Sequence, residues 1–301
     1  MSTNAATPAT HMGTRRWESV TAGPANLLGR LAMPSISVGA YVFLYIPIIA
    51  LVVYSFDRSS QASHWTGFTF HWYSAVFHDP NLLDALKVSA IVAFASATLS
   101  TGIGLLSAVA LARVRFRGRR LFVGLLLLPL LTPEIVLSVA FLTLLSKVGM
   151  QLGYASLIAG HMVLTLPYAT LLLVGAMSRI DPALEEAAAD LGCGAIKGFC
   201  RVILPLLLPA LLGAFLLTLT TSFQDVVMSN FVGGPTTTPL PVYVYGLLKT
   251  GLTPELNALG TMLVMVTVGG VLLVGARRIA SFVSRSSQIQ TAELDPSPQA
   301  G

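Results

Sequence analysis

The chain has 301 residues, of which 54% are hydrophobic and only 10% are charged, whereas an average soluble domain carries roughly 25% charged residues. So few charges cannot coat the surface of a water-soluble fold. The net charge of +5 does not indicate nucleic-acid binding either, because the basic residues are not gathered on a folded soluble domain. Composition therefore predicts a protein whose solvent is the lipid bilayer.

Six apolar blocks approach the length of about 20 residues that an α-helix needs to cross a bilayer core. They are Ile36–Phe56, Val88–Ala112, Leu121–Leu145, Ala155–Met177, Leu204–Phe223 and Leu259–Ala276. We therefore predict an all-α polytopic membrane protein with six transmembrane helices. The polar ends predict a largely disordered N-terminal tail over residues 1–34, a transmembrane domain over 35–280 and a disordered C-terminal tail over 281–301.

The positions of lysine and arginine predict the orientation, because cytoplasmic flanks retain positive charge during membrane insertion. If both termini lie in the cytoplasm, only Arg58, Lys87, Lys147 and Lys249 of the 18 basic residues fall on the outer side. The reverse orientation would invert this asymmetry. We therefore predict that both termini, and both tails, are cytoplasmic.

The second and third predicted spans differ in character. The second is rich in alanine, serine and glycine, which lets helix backbones approach closely in lipid, so we expect an inner helix. The third contains Pro129 and Pro133 just before Glu134, and such prolines are tolerated where neighbours or a water-lined cavity satisfy the freed carbonyl groups. A charge within an apolar block is costly, so Glu134 is expected to be neutral, paired or facing water.

A second acid, Asp225, follows Ser222 and Gln224 at the outer end of the fifth span. Two interpretations stay open for each acid. The acid either pairs with a local lysine or hydroxyl cluster, or it lines a pathway for a cation. Glu134 and Asp225 are too far apart in sequence to suggest the paired acids of an enzyme.

The segment between the fourth and fifth spans, about 181–203, has the pattern of two short helices. Asp181 precedes a proline, a combination typical of a helix N-cap followed by the first helical position. Gly192 and Gly194 allow a sharp turn, and a second short helix, Ala195–Val202, leads into the fifth span. Such a knob could fit a groove on a soluble partner, although an ordinary amphipathic connector would show the same pattern.

The same segment carries a spaced motif. Glu186-Ala187-Ala188 is followed three residues later by Gly192, and nine residues further on by Val202-Ile203-Leu204-Pro205. This resembles the loop of type I ABC importer permeases, which reads E-A-A, three residues, G, nine residues and I-x-L-P, and only Val202 departs from it. The resemblance covers about Ile36 to Ala280 and implies the six-helix permease fold of that family.

In that family the loop docks on the ATP-binding subunit, so the resemblance assigns docking to a set of loop residues. They are Glu185, Glu186, Ala187, Ala188, Gly192, Gly194 and Ala195. The resemblance implies a permease of the bacterial inner membrane rather than an enzyme. Its implied partners are a dimer of ATP-binding subunits, a second homologous permease, an extracytoplasmic solute-binding protein and membrane lipid.

The chain itself is expected to bind no cofactor and no metal. No lysine in it follows a glycine, which excludes the phosphate-binding motif G-x-x-x-x-G-K-[ST], so ATP and Mg²⁺ should belong to the partner subunit. Cys193 and Cys200 match neither C-x-x-C nor the spacing of zinc ligands. We interpret them as small packing residues.

A narrower resemblance concerns the solute. The segments 222–229, 231–235, 240–245 and 253–259 look like the second permease of spermidine/putrescine importers. This implies a polyamine or related cation as solute. It also implies a translocation pathway that includes Glu134, Ser222, Gln224, Asp225 and Tyr243. Gln224 stands where an acid is common in those permeases, so a solute with fewer positive charges than spermidine is also compatible.

Two other classes of protein compete with this interpretation. An ion-coupled transporter or cation channel could use Glu134 and Asp225 as proton or cation sites, but it has no need of a loop that docks an ATPase. A membrane enzyme is the third class. Neither H-E-x-x-H nor G-x-S-x-G occurs in the sequence, which argues against the commonest catalytic motifs.

Overall fold

The computed structural model describes residues 24–59, 65–251, 254–270 and 272. These residues are mainly helical, with one isolated antiparallel bridge between Asp57 and Phe68. The chain divides into two compact units, Met1–Val53 and Tyr54–Gly301, and each is described by itself.

Helix α1, Pro24–Tyr54, supplies the described part of the first unit. Its portion Pro34–Tyr54 has 21 residues and is apolar enough to cross a membrane, in agreement with the first predicted span. Within the predicted tail over residues 1–34, the residues from Pro24 onward belong to α1. Residues 1–23 of that predicted tail lie outside the described residues.

The second unit is a series of helices of very different length. In chain order they are α2 His71–His78, α3 Pro80–Arg113, α4 Arg119–Leu131, α5 Glu134–Lys147, α6 Tyr154–Met177, α7 Ala183–Asp190, α8 Ala195–Gly198, α9 Leu204–Phe223, α10 Val227–Val232, α11 Leu240–Thr250 and α12, residues 254–270. A π-helical turn, Phe199–Ile203, joins α8 to α9. The predicted short helix Ala195–Val202 therefore continues into the fifth span without a break.

Helices α3, α6 and α9 pack together as the core of this unit. The 34-residue helix α3 begins where the Asp79 side chain accepts a hydrogen bond from the Asn81 backbone N–H at 2.9 Å. Further along, a Cβ on Gly104 would lie 2.9 Å from the Cβ of Ala169 on α6, so the two backbones approach closely. This confirms the prediction that the second span is an inner helix built from small residues.

Hydroxyl groups also connect the three core helices. Ser100 on α3 bonds Thr165 on α6 at 2.8 Å, and Ser96 on α3 bonds Ser222 on α9 at 2.9 Å. All of these side chains are buried. Such interhelical bonds help to hold helices together in lipid, where association gains little from the hydrophobic effect.

The third predicted span, Leu121–Leu145, is not one continuous helix. It consists of α4 and α5, which meet at an angle of 113°. Thr132 is extended, with ψ of 133°, because the ring of Pro133 disfavours the helical conformation of the residue before it. The prolines predicted a weakened hydrogen-bond ladder, and the structure has a complete break instead.

Four described segments are long and apolar enough to cross a membrane, and the bent pair α4–α5 makes a fifth if it counts as one span. The last predicted span, Leu259–Ala276, overlaps α12, but residues 271 and 273–276 lie outside the described residues. The C-terminal tail over 281–301 lies outside them as well. The count of six spans and the side on which the termini lie therefore stay predictions.

Candidate functional site

A cavity of about 450 Å³ lies where the break between α4 and α5 faces the break between α9 and α10. Its polar lining consists of Thr132, Glu134, Tyr168, Thr221, Gln224 and Asp225, and its apolar lining of Pro129, Leu130, Leu164, Val226 and Val227. Each break contributes one acid. The cavity thus brings together three of the five residues predicted to line a pathway, Glu134, Gln224 and Asp225.

Glu134 occupies the first position of α5. The extended Thr132 and Pro133 turn the chain sharply before it, so that its side chain is exposed at the break rather than buried in a continuous helix. A carboxylate in the first turn also interacts favourably with the partial positive charge at a helix N-terminus. Glu134 is therefore placed where a charge within the apolar block has a polar environment.

Asp225 is held in a different way. It is 8% exposed, and its carboxylate accepts hydrogen bonds from the backbone N–H groups of Ser229 at 2.8 Å and Met228 at 3.3 Å. These are bonds of the kind that a capping side chain makes at the first turn of a helix, here α10. His161 Nε2 lies 3.3 Å from the same carboxylate. Asp225 thus has a structural function in ending the break between α9 and α10.

His161, on α6, connects the elements around Asp225. It is 2% exposed, and its Nδ1 lies 2.6 Å from the Ser222 hydroxyl on α9, while its Nε2 lies 2.9 Å from the Ser229 hydroxyl on α10. The sequence interpretation missed this residue. The available signal was a histidine inside an apolar span, a position that polar residues occupy rarely and usually for function.

The carboxyl groups of Glu134 and Asp225 line the same cavity and are close enough to interact electrostatically. Their separation in sequence did not indicate this proximity, because it depends on two breaks that face each other. Two carboxyl groups so close repel each other unless a proton or a cation lies between them. The cavity consequently favours a positively charged occupant.

The two other predicted pathway residues do not line this cavity. Ser222 is buried and bonds Ser96 and His161 behind the cavity wall. Tyr243, on α11, lines a separate pocket of about 320 Å³ and donates a hydrogen bond to Asp79 Oδ2 at 2.9 Å. Burial, together with the negative charge of Asp79, raises the pKa of Tyr243 to about 12, so its hydroxyl remains a donor at neutral pH.

The segment 181–203, which we call the α6–α9 loop, contains α7, α8 and the π-helical turn. Gly192 has φ of +82°, a left-handed conformation that glycine adopts without steric cost. The N–H of Cys193 bonds the Ala188 carbonyl and the N–H of Gly192 bonds the Ala189 carbonyl, which is the pattern of a Schellman motif at a helix C-terminus. The two predicted short helices and the glycine turn are thus present.

The seven loop residues predicted for docking divide into an outer and an inner group. Five are exposed: Glu186, Ala187, Gly192, Gly194 and Ala195. Beside them, the large apolar side chains of Leu191 and Ile196 are 86% and 81% exposed. Ala188 is buried against Gly198, and Glu185 forms an ion pair with Arg113 of α3. The last two residues therefore contact other parts of the protein.

A sequence profile of the family described as "Binding-protein-dependent transport system inner membrane component" matches residues 100–286. The chain belongs to this family. The matched range includes the α6–α9 loop. It also includes both of the breaks that form the cavity containing Glu134 and Asp225, which we call the acidic cavity.

Several characterised proteins are similar over most of this family member. The spermidine/putrescine transport system permease protein PotC of Haemophilus influenzae is 41% identical over 77% of this chain and 91% of its own length. PotC of Escherichia coli strain K12 is 39% identical over 84% and 96%. The putrescine transport system permease protein PotI of the same strain is 32% identical over 78% and 85%.

Solved structures share the fold at low sequence identity. A bacterial ABC transporter involved in the import of the acidic polysaccharide alginate has a TM-score of 0.64 at 18% identity, over 85% of this chain and 97% of that one. The MetNI methionine ABC transporter, in an inward facing conformation, has a TM-score of 0.54 at 22% identity, over 66% and 95%. These likenesses concern the fold alone.

The family assignment determines the class of function. This binding-protein-dependent permease is a multi-pass component of the bacterial inner membrane and a permease subunit of a type I ABC importer. It is a transport subunit rather than an enzyme, and it works with an ATPase subunit and a solute-binding protein. The predictions of the family, of an all-α multi-pass permease fold and of the inner-membrane location are confirmed.

Proposed function

We propose that this permease translocates a polyamine, spermidine or putrescine, or a related cation, through the acidic cavity. The observation that carries the proposal is the meeting of Glu134, Asp225 and Gln224 in one cavity, although they come from two separate chain breaks. An ammonium group within a membrane needs oxygen ligands to replace water. The cavity offers carboxyl, amide and hydroxyl oxygens, and the names of the polyamine permeases at 32–41% identity support the same class of solute.

The two acids have different tasks in this proposal. Asp225 has bonds to two backbone N–H groups and lies next to His161, so it shapes the cavity wall as much as it attracts a cation. Glu134 is exposed and is free of such a capping function. Glu134 is therefore the acid that contacts a passing ammonium group.

Glu134→Gln tests this assignment. In the complex reconstituted into proteoliposomes with its partner subunits, the variant should take up spermidine and putrescine more slowly. Glutamine has nearly the same shape as glutamate, but it removes one negative charge from the cavity. Glu134→Asp, which retains the charge, should restore much of the uptake. Uptake by Glu134→Gln at the wild-type rate would contradict the assignment, provided that the complex assembles equally well.

The α6–α9 loop is the proposed docking site for the ATP-binding subunit. The exposed group Glu186, Ala187, Gly192, Gly194 and Ala195 forms the polar and backbone part of this surface. Leu191 and Ile196 add apolar area that water would otherwise contact. A surface with exposed apolar anchors beside a charge suits burial against a protein partner.

Glu186→Lys tests the docking proposal. Reversal of this charge at the interface should abolish solute-stimulated ATP hydrolysis and release the ATPase subunit on co-purification, while membrane insertion is unchanged. Asp84→Lys is the matched control, since Asp84 is an exposed acid at the opposite end of α3. Equal stimulation in the wild type and Glu186→Lys would exclude the loop as the docking site.

The complete importer in this proposal contains more than one chain. A second homologous permease supplies the other half of the pathway, a dimer of ATP-binding subunits binds ATP and Mg²⁺, and an extracytoplasmic protein delivers the solute. The permease has six spans and cytoplasmic termini, and it alternates between two states that its partners bind with different affinities. Uptake that persists in vesicles without ATP would favour the ion-coupled alternative instead.

A further inference from the structure

Helix α7 of the α6–α9 loop is separated from the transmembrane helices by a cavity. The space measures about 450 Å³ and is lined by residues of α3, α6, α7, α8 and the π-helical turn, among them Val109, Met177 and Phe199. Within the loop, α7 packs against α8 and the π-helical turn. A connection across this cavity therefore decides how firmly α7 follows the transmembrane helices.

Arg113, the last residue of α3, makes such a connection. Its Nε donates to Glu185 Oε1 of α7 at 2.7 Å, and its Nη2 donates to the backbone carbonyl of Ile180 at 3.0 Å. One guanidinium group thus joins the end of α3, the chain just after α6 and the first turn of α7. The side chains of Arg113 and Glu185 are 19% and 38% exposed, so solvent screens this pair less than a fully exposed one.

We propose that Arg113 is a positioning residue that transmits displacement of α7 to α3. The inference rests on the proposed docking of the ATP-binding subunit at the α6–α9 loop. The geometry requires arginine, because the planar guanidinium offers donors in two directions, whereas a lysine ammonium is a compact point charge that does not reproduce this fork. Loss of the connection should separate ATP hydrolysis from transport without separating the two subunits.

Buried hydrogen bonds connect α3 to the wall of the acidic cavity. Helix α3 carries Ser96, which bonds Ser222, and Ser222 in turn bonds His161 beside Asp225. A shift of α3 therefore acts on the bonds that hold the cavity wall. Arg113 is thereby linked to the cavity through one helix and two buried hydroxyl groups.

The experiment measures solute taken up per ATP hydrolysed in the reconstituted complex. Arg113→Ala should retain the ATPase subunit on co-purification and retain basal ATP hydrolysis, but this ratio should fall roughly fivefold or more, as expected for the loss of a typical coupling energy. Arg113→Lys should remain impaired. Arg117→Ala, which removes the same charge from an exposed position, should behave as the wild type.

Two further variants keep the test decisive. If Arg113→Ala does not assemble, Glu185→Gln removes the charge of the partner with little change of shape and should lower the same ratio. The exchange Arg113→Glu with Glu185→Arg should recover part of it, since the ion pair returns without the bond to Ile180. Ratios in Arg113→Ala and Glu185→Gln equal to that in Arg117→Ala would overturn the proposal, whereas a failure of docking itself would appear as unchanged stimulation in Glu186→Lys.

Discussion

His161 shows how one buried residue organises the acidic cavity. Both of its ring nitrogens have hydroxyl partners, and those partners lie on α9 and α10. A buried polar group without a partner costs free energy, so the three elements are most stable in the arrangement that satisfies all of these groups. His161 therefore fixes the position of the break that carries Asp225.

We expect His161→Ala to lower the thermal stability of the purified permease and to reduce uptake. The substitution removes the histidine partner of the Ser229 hydroxyl, and an unsatisfied buried group costs about 1–3 kcal/mol. The Ser222 hydroxyl and the Asp225 carboxylate each lose one contact but keep their other hydrogen bonds. The midpoint of thermal unfolding in detergent is the measurement. His78→Ala is the control, because His78 is exposed; equal midpoints for the two variants would contradict the structural function of His161.

At this scale the sequence indicated which charges are costly but not what they contact. Glu134 and Asp225 stand out because acids are rare in apolar segments. Their contact depends on two breaks that face each other, and nothing in the separation of the residues along the chain predicts this. For the same reason Glu185 was assigned to docking, since its partner Arg113 lies on a distant helix.

The close approach of α3 and α6 is the main feature at the scale of helices. Small residues on both helices permit it, and Gly104 is the tightest point on α3, with Ala169 and the backbone of Thr170 within 3.3 Å of an added Cβ. Gly102, two residues earlier, has nothing within 4 Å of such a Cβ. The same helix thus offers a tight and an open glycine.

We expect Gly104→Val to impair folding of the permease, whereas Gly102→Val should be tolerated. Added methyl groups at Gly104 must displace α6, and overpacking of this kind typically costs about 1–3 kcal/mol. The amount of protein that elutes as a single species from size-exclusion chromatography in detergent is the measurement. Equal yields of the two variants would show that α3 and α6 are not in close contact at this point.

The helices themselves were largely predictable, while their interruptions were not. Hydrophobic length located the spans that became α1, α3, α6 and α9, because lipid requires long apolar helices. At Pro133 the sequence predicted only a weakened ladder of helical hydrogen bonds and not a complete break. Proline is compatible with either a kink or the end of a helix. The break after α9 has no proline. Asp225 stabilises it through local bonds to the backbone of α10 and through a contact with His161 on α6, and this second contact is tertiary.

The orientation of the whole molecule follows from its basic residues and can be measured with its own cysteines. The chain contains two cysteines, both free and both in the α6–α9 loop, with Cys200 exposed. If this loop is cytoplasmic, a membrane-impermeant maleimide should label the permease, expressed alone, in inside-out vesicles and not in spheroplasts. Labelling in spheroplasts would contradict the predicted orientation.

A matched reporter for the opposite side is available on α3. In a background with Cys193→Ser and Cys200→Ser, Asp84→Cys places a thiol at an exposed position near the N-terminal end of α3. This end is opposite to the end that carries Arg113. It should react in spheroplasts and be protected in inside-out vesicles.

The family could be predicted for the whole molecule because the E-A-A motif lies within one short stretch, whereas the acidic cavity requires segments from across the chain.

The length of α3 has a mechanical consequence. At about 1.5 Å per residue, its 34 residues extend for roughly 50 Å, well beyond the ~30 Å hydrocarbon core of a bilayer. One end holds α7 through Arg113, and the other adjoins the contact between Asp79 and Tyr243. A helix with intact backbone hydrogen bonds does not shorten. A displacement of α3 at one membrane surface is therefore transmitted to the other surface.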